Sequence, residues 1–134
     1  MTVGAVKGDE AVIINLTADS TVAVGDLCHI GSASGWHETD SSANYGKFAV
    51  AIEASANGEF RGVVWGRVEV GCKGATPAGC LLVPSATAGF VAAQRYEQAS
   101  MNVLGIVGTS MDASVNLLNV GGTGTVTVWM GLVN

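Results

Sequence analysis

The stretch that decides the fold is GDLCHIGSASGW at residues 25–36, because its pattern returns as GCLLVPSATAGF at residues 79–90. The second copy lies 54 positions later (79 − 25), and the alignment needs no gap, so Trp36 falls on Phe90. Small residues between two glycines predict a tight turn that ends at an aromatic anchor. Two such units cannot each bury a face alone, so we expect them to share one core.

The correspondence continues beyond the two turns. Residues 50–52 align with residues 104–106 at the same shift, and residues 64–68 align with residues 128–132 after a longer connection in the second copy. Each copy therefore predicts a strand, a small-residue turn, a loop, a strand, a loop and a strand. The two pseudo-repeats span about residues 22–70 and 76–133.

Alternation of apolar and polar residues predicts the main strands. We expect Val64 to face inward with Val68 and Val70, and Trp65, Arg67 and Glu69 to face outward. In the last strand, Trp129 is expected outward and Met130 inward. The predicted strands of this kind are residues 12–16, 27–30, 48–52, 62–70 and 125–133.

The remaining segments are predicted as loops. Residues 92–101 contain helix formers but align with a loop of the first copy, so one helical turn at most is expected there. Residues 108–123 are interpreted as a long polar insertion. The chain is thus predicted to be all-β, a small β-barrel or β-tulip-like domain over residues 11–134, preceded by a short extended N-terminal arm at residues 1–10.

Composition excludes several classes of function. The chain has 134 residues, a formal net charge of −5 and only 13% charged residues, without any lysine or arginine cluster. Nucleic-acid binding and attachment to a membrane surface both need a basic face, so neither is expected. No signal peptide and no membrane span are apparent, which predicts synthesis in a reducing cytoplasm.

Few residues suggest catalysis or metal binding. Cys28 and His29 are neighbours on a predicted strand, so their side chains point to opposite faces and cannot act as nucleophile and base. His37, Glu38 and Asp40 could bind a cation, although a solvated polar loop is the favoured interpretation. We therefore expect no enzyme activity, no cofactor and no metal. The three cysteines, Cys28, Cys72 and Cys80, lack zinc or disulfide spacing and are expected to be buried free thiols, with a pair between Cys72 and Cys80 as the alternative.

Charge is unevenly distributed along the chain. From residue 75 to the end, the only charged residues are Arg95, Glu97 and Asp112. Small domains normally cover their surfaces with charges, and interface cores are depleted in them, so much of this half is expected to meet another protein. Trp65 and Trp129 are the candidate anchors; the alternative is a second packed layer inside the domain.

The order of these segments resembles the head decoration proteins of tailed bacteriophages, also called capsid cement proteins. The resemblance rests on VGDL at 24–27, AVAIEA at 49–54, residues 58–70, AGCLLV at 78–83, LGIV at 104–107 and VTVWM at 126–130. It implies a small β-barrel or β-tulip domain, homotrimers on the outside of an icosahedral capsid, and an N-terminal arm that reaches the major capsid protein or a neighbouring subunit. It implies no catalytic residues. The long 108–123 segment, Trp65 and Trp129 depart from the family pattern.

The resulting expectation is a structural protein of the virion that binds the outer surface of the mature head and stabilises it. The alternative is a glycan- or ligand-binding β domain of a phage fibre or head spike, which would use Trp36, His37, Glu38 and Asp40. A third hypothesis, a trimeric β-enzyme with a site between subunits, would need convergent polar residues on glycine-rich motifs, and we identify none in the sequence. The candidate contacts with capsid or subunits are Thr2, Val3, Val6, Lys7, Trp65, Trp129 and Met130.

Overall fold

The all-β prediction is confirmed. The computed structural model describes residues 4, 6–31, 34–94, 105–114 and 122–130, with the backbone alone for residues 6–10, and these residues contain nine strands and no α-helix. The strands are β1 (Val6–Thr17), β2 (Leu27–His29), β3 (His37–Glu38), β4 (Phe48–Ala51), β5 (Glu59–Lys73), β6 (Leu81–Pro84), β7 (Val91–Ala93), β8 (Gly108–Ser110) and β9 (Thr123–Met130).

The strands form one sheet that closes into a barrel. Its order is β3-β2-β4-β5-β7-β6-β8-β9, and a further pairing between β5 and β9 closes a ring of five strands, β5, β7, β6, β8 and β9. The small β-barrel prediction is therefore confirmed. Gly66 pairs with both Ala11 and Met130, so β1 and β9 lie on opposite edges of β5. Strands β1, β2, β3 and β4 lie outside this ring.

The predicted pseudo-repeat is present in the strand pairing. In the first copy β2 pairs with β3 and β4, and β4 pairs with β5. In the second copy β6 pairs with β7 and β8, and β8 pairs with β9. The first half of β5 thus ends the first copy, while its second half pairs with the last strand of the second.

Matching hydrogen bonds show that the two copies share their local structure. The amide of Val22 donates to the Ser55 Oγ at 2.9 Å, and the amide of Ser55 donates back to the Val22 carbonyl at 2.8 Å. In the second copy, Thr76 and Ser114 make the same two bonds at 3.0 and 2.9 Å. The two serines therefore connect the start of each repeat to a loop: Ser55 lies in the loop after β4, and Ser114 lies in the segment after β8.

The structural repeat reaches further towards the N-terminus than residues 22 and 76. Ala18 makes a parallel bridge to Trp36, and Cys72, which lies 54 positions after Ala18, pairs in parallel with Val91. Strand β1 and the second half of β5 are thus equivalent. Strand β1 also exceeds the predicted 12–16 run, and residues 6–10 of the sequence-predicted arm are its first five residues.

The alignment of residues 104–106 with the inner strand β4 was wrong. Gly25 donates its amide to the Ala51 carbonyl, and Gly79 donates to the Ser110 carbonyl, so β8 is the counterpart of β4. The segment 108–123 consequently begins with a strand rather than being a continuous polar insertion. The sequence Gly-Thr-Ser of β8 lacks apolar alternation, which is why the pattern did not identify it. The predicted loop at 92–101 lies partly outside the described residues, and β7 occupies its start.

The simple inward and outward alternation predicted for β5 was also wrong. Val12 pairs with Trp65 but Ile13 pairs with Val63, so Val64 is the extra residue of a β-bulge. Val63 therefore joins Val68 in the main core, while Val64 packs against a different cluster. Glu69, predicted to face outward, is only 1% exposed, because the sheet is covered there as well.

Two hydrophobic clusters fill the domain. The larger contains the interior of the closed barrel together with part of the first copy; its members are Leu27, Phe48, Val50, Val63, Val68, Val70, Cys72, Leu82, Val91, Val107, Val126, Val128 and Met130. The smaller belongs to the first copy alone and contains Leu16, Val22, Cys28, Ala49, Ala51 and Phe60. The first copy thus packs on the second through β2, β4 and β5.

The pairing of β8 with β9 makes Gly108 a sensitive position. A Cβ at this residue would overlap the backbone carbonyl oxygen of Trp129. We expect Gly108→Ala to lower the free energy of unfolding by about 1–3 kcal/mol in urea denaturation, since backbone cannot move as easily as a side chain. The neighbouring Thr109→Ala variant is the control and should stay close to wild type. Equal stability of the two variants would contradict the assignment of β8.

Candidate functional site

Two tryptophans, Trp65, which is exposed, and Trp129, which is partly buried, lie in contact on the described surface of the domain. The rings of Trp65 on β5 and Trp129 on β9 lie with their centroids 5.0 Å apart, edge to face at 74°. Aromatic pairs favour this arrangement, because the positive ring edge meets the negative face. Trp65 remains 42% exposed. The two side chains predicted as separate anchors are therefore one unit.

Strand β1 adds aliphatic side chains beside this pair. Val12 lies directly opposite Trp65 and is 46% exposed, and Ile14, 42% exposed, lines the same groove as Trp65. We refer to Val12, Ile14, Trp65 and Trp129 as the apolar surface. Scattered single apolar residues are ordinary on proteins, but a contiguous group of large ones indicates a contact with another molecule.

One edge of β1 has no partner strand among the described residues over most of its length. Among the described residues, β1 pairs with β5 on one side, and beyond its end Ala18 makes the single bridge to Trp36. An open edge presents N–H and C=O groups that can extend a sheet into another chain. Ile13, also exposed, lies on this same strand. Apolar side chains and free backbone groups thus occur together on β1.

The other predicted contact residues are differently placed. Val6 and Lys7 belong to β1, where Val6 pairs with Val68, whereas Thr2 and Val3 lie outside the described residues. Met130 is only 1% exposed and belongs to the larger core cluster. Its role in the structure is to fill the domain interior, so it is not part of the apolar surface.

Charges in the second half are few, and one of them has an internal role. The Asp112 carboxylate accepts a hydrogen bond from the backbone amide of Thr127 at 3.0 Å, joining the turn after β8 to β9. Arg95 and Glu97 lie outside the described residues. The low charge on this half, expected from the sequence, leaves its surface dependent on neutral and apolar groups.

A carboxyl pair lies where the two repeats meet. Asp26 and Glu38 both approach Gly89, where a Cβ would meet the Glu38 Oε2 at 2.7 Å and the Asp26 Oδ1 at 3.1 Å. Gly89 itself accepts from the Leu27 amide and donates to the Thr39 carbonyl. The pKa of Glu38 is raised mainly by burial. The charge of Asp26, a hydrogen bond with Asp26 and the charge of Asp40 raise it further.

The histidines next to this pair make mainly structural contacts. His29 is buried, and its Nδ1 lies 2.9 Å from the Tyr45 carbonyl oxygen; its ring meets the edge of His37 at 4.5 Å. His37 Nδ1 lies 3.3 Å from the Asp19 carboxylate. Within the described part of the chain, no three His, Cys, Asp or Glu side chains come together as a metal site. His37, Glu38 and Asp40 are therefore not assembled around a cation.

Trp36 does not provide a flat exposed platform. It packs against the smaller core cluster, and its backbone bonds to Thr17 and Asp19. The four residues of the glycan-binding alternative do not form one open face: Trp36, His37 and Glu38 are all partly buried, and only Asp40 is exposed.

The three cysteines are free thiols in the structure, with Cys28 and Cys72 buried and Cys80 partly buried. Burial raises the pKa of Cys28 and of Cys72, so both stay protonated at neutral pH. Cys80 lies against the Pro77 carbonyl oxygen at 3.2 Å and the Ser110 hydroxyl at 3.4 Å. A protonated thiol is a poor nucleophile, so neither buried cysteine has the chemistry of a catalytic residue.

Comparison with family models, curated proteins and solved structures found no match to this chain. In the part of the chain that the structure describes, no helix is long and apolar enough to cross a membrane.

The carboxyl pair predicts a pH dependence of stability. Because the pKa of Glu38 is higher in the folded state than its ordinary 4.5, the folded protein binds more protons above that value. The free energy of unfolding should therefore fall as pH rises from about 4.5 through the folded-state pKa. Glu38→Gln removes the repulsion and should be more stable than wild type at pH 7, with the difference vanishing at pH 4.

The control for this comparison is Glu59→Gln, which changes an exposed carboxylate at the start of β5. Thermal unfolding of the three proteins across this pH range provides the measurement. A Glu38→Gln variant less stable than wild type at pH 7 would contradict the placement of two like charges at Gly89.

Proposed function

We propose that this protein is a structural decoration protein of a tailed-phage capsid, a homotrimer that binds the outer surface of the mature head and stabilises it. The observation that carries the proposal is the apolar surface beside β1, a strand whose far edge is open among the described residues. The low charge of the chain and the resemblance of its segment order to capsid cement proteins add support.

The function requires no pocket or catalytic group, only adhesion. A protein that binds the intact shell but not its ruptured state stabilises the shell by mass action. Three subunits joined in a trimer can bind at three places together, so contacts that are weak singly become strong in combination. The negative net charge suits a position outside the shell, away from packaged DNA.

The contacts are assigned to two parts of the chain. The apolar surface mediates contact between subunits, because Trp65 and Val12 offer large aromatic and aliphatic area near an edge that can extend the sheet. Thr2 and Val3, which precede the buried Gly4 and β1, reach the major capsid protein.

Sedimentation of the purified protein, alone and with undecorated heads, tests the proposal. We expect wild type to sediment as a trimer and to pellet with heads. The double variant Val12→Ser with Trp65→Ser should be monomeric and bind heads at least about ten-fold more weakly. Two apolar side chains that the trimer would bury are lost, and the trivalent contact with the head is lost with them.

Met111→Ser is the matched control, because Met111 is an exposed apolar residue in the turn after β8, a strand that pairs with β6 and β9 and not with β1. Circular dichroism of each variant verifies that the barrel remains folded. A wild-type protein that stays monomeric and does not sediment with heads would refute the proposed function, and an unaffected double variant would refute the assigned surface.

A further inference from the structure

An open groove lies beside the apolar surface, with walls from both repeats. Its volume is about 500 Å³, and Trp36, Phe48 and Trp65 line it together with Ile14 and Met130. Volumes of this size are typical of sites that hold small organic ligands, which bind mostly through apolar walls and a few polar groups. The groove is thus large enough for one or two rings or a short aliphatic chain.

The groove has one charged residue, Lys47, among the described residues that line it. Lys47 is exposed, and in the described part of the chain no carboxylate lies within ion-pair distance of it. Lysine stems can lie along an apolar wall while the ammonium group stays at the rim in water. A cation is therefore present among the described lining residues, and no described carboxylate would have to be displaced from it.

We infer that the groove binds an organic anion with an apolar body, such as an aromatic or aliphatic carboxylate or sulfonate. The apolar part lies between Trp36 and Trp65, and the anionic group pairs with the Lys47 ammonium at the rim. This inference goes beyond the proposed function. Because Ile14 and Trp65 belong both to the groove and to the apolar surface, the site is assigned to the free subunit, where both side chains are exposed.

The charges and ring faces select this class over its alternatives. A cationic ligand would meet the Lys47 ammonium, and no carboxylate among the described lining residues would offset the repulsion. A neutral apolar molecule would gain the same contacts with the rings but not the ion pair.

Anilinonaphthalene sulfonate, an aromatic sulfonate whose fluorescence rises in apolar surroundings, provides a direct probe. We expect saturable binding with one site per chain at physiological salt, where the long-range effect of the net negative charge is screened. Lys47→Ala should weaken binding by about two- to five-fold and Lys47→Glu further, as for an exposed ion pair. Phenylnaphthylamine, a neutral analogue, should bind equally to all three proteins.

Lys73→Ala is the matched control, because Lys73 is also exposed but does not line the groove. A second variant, Ile106→Trp, adds a large ring to the lining and should abolish binding of both probes while the barrel stays folded by circular dichroism. The titrations are run on protein whose subunit number is known from sedimentation, so a failure to form trimers leaves this test intact.

Three results would overturn the inference. If the sulfonate binds Lys47→Glu as tightly as wild type, the ion pair with Lys47 does not contribute to binding. If it still binds Ile106→Trp, the probe binds elsewhere on the surface. Loss of binding in Lys73→Ala to the same extent as in Lys47→Ala would attribute the effect to net charge alone.

Discussion

Strand β5 is the constraint on which the rest of the structure depends. Its first half pairs with β1 and β4, its second half pairs with β9, and near its end Cys72 pairs with β7. The two halves meet at Gly66, where the backbone has a φ of 103°. Residues other than glycine rarely adopt this angle. The bulge at Val64 adds to the change of direction. One strand can therefore serve two repeats because it bends between them.

This arrangement explains why the apolar surface exists. In the second repeat, the strand equivalent to β1 is the latter half of β5, which is paired on both sides and buried. In the first repeat the same place is taken by β1, whose far edge stays open among the described residues. Val12 and Ile14 are exposed, and no described strand pairs with the edge of β1 that lies opposite β5. A further chain can cover them, and this is the physical basis for the proposed subunit contact.

The sequence predicted the features that backbone geometry imposes and missed those set by neighbours. The glycines at 25 and 79 revealed the repeat, because both donate equivalent hydrogen bonds to the inner strands. Strand β8 was missed because it lacks apolar alternation. Its first residue, Gly108, allows close contact with β9. The bulge at Val64 and the burial of Glu69 likewise depend on strands distant in sequence. For the candidate site, the outward tryptophans were predicted, but their contact and the exposure of β1 follow from pairing alone.

Hydrogen–deuterium exchange of the free protein and of the protein bound to heads tests the central claim most directly. We have assigned the contact surface to the open edge of β1 and the side chains beside it. Under this assignment, amides of residues 11–17 that exchange in the isolated subunit become protected on assembly, while those of β9, already paired, change little. Protection confined to the loops at 40–46 and 85–90, with β1 unchanged, would contradict it.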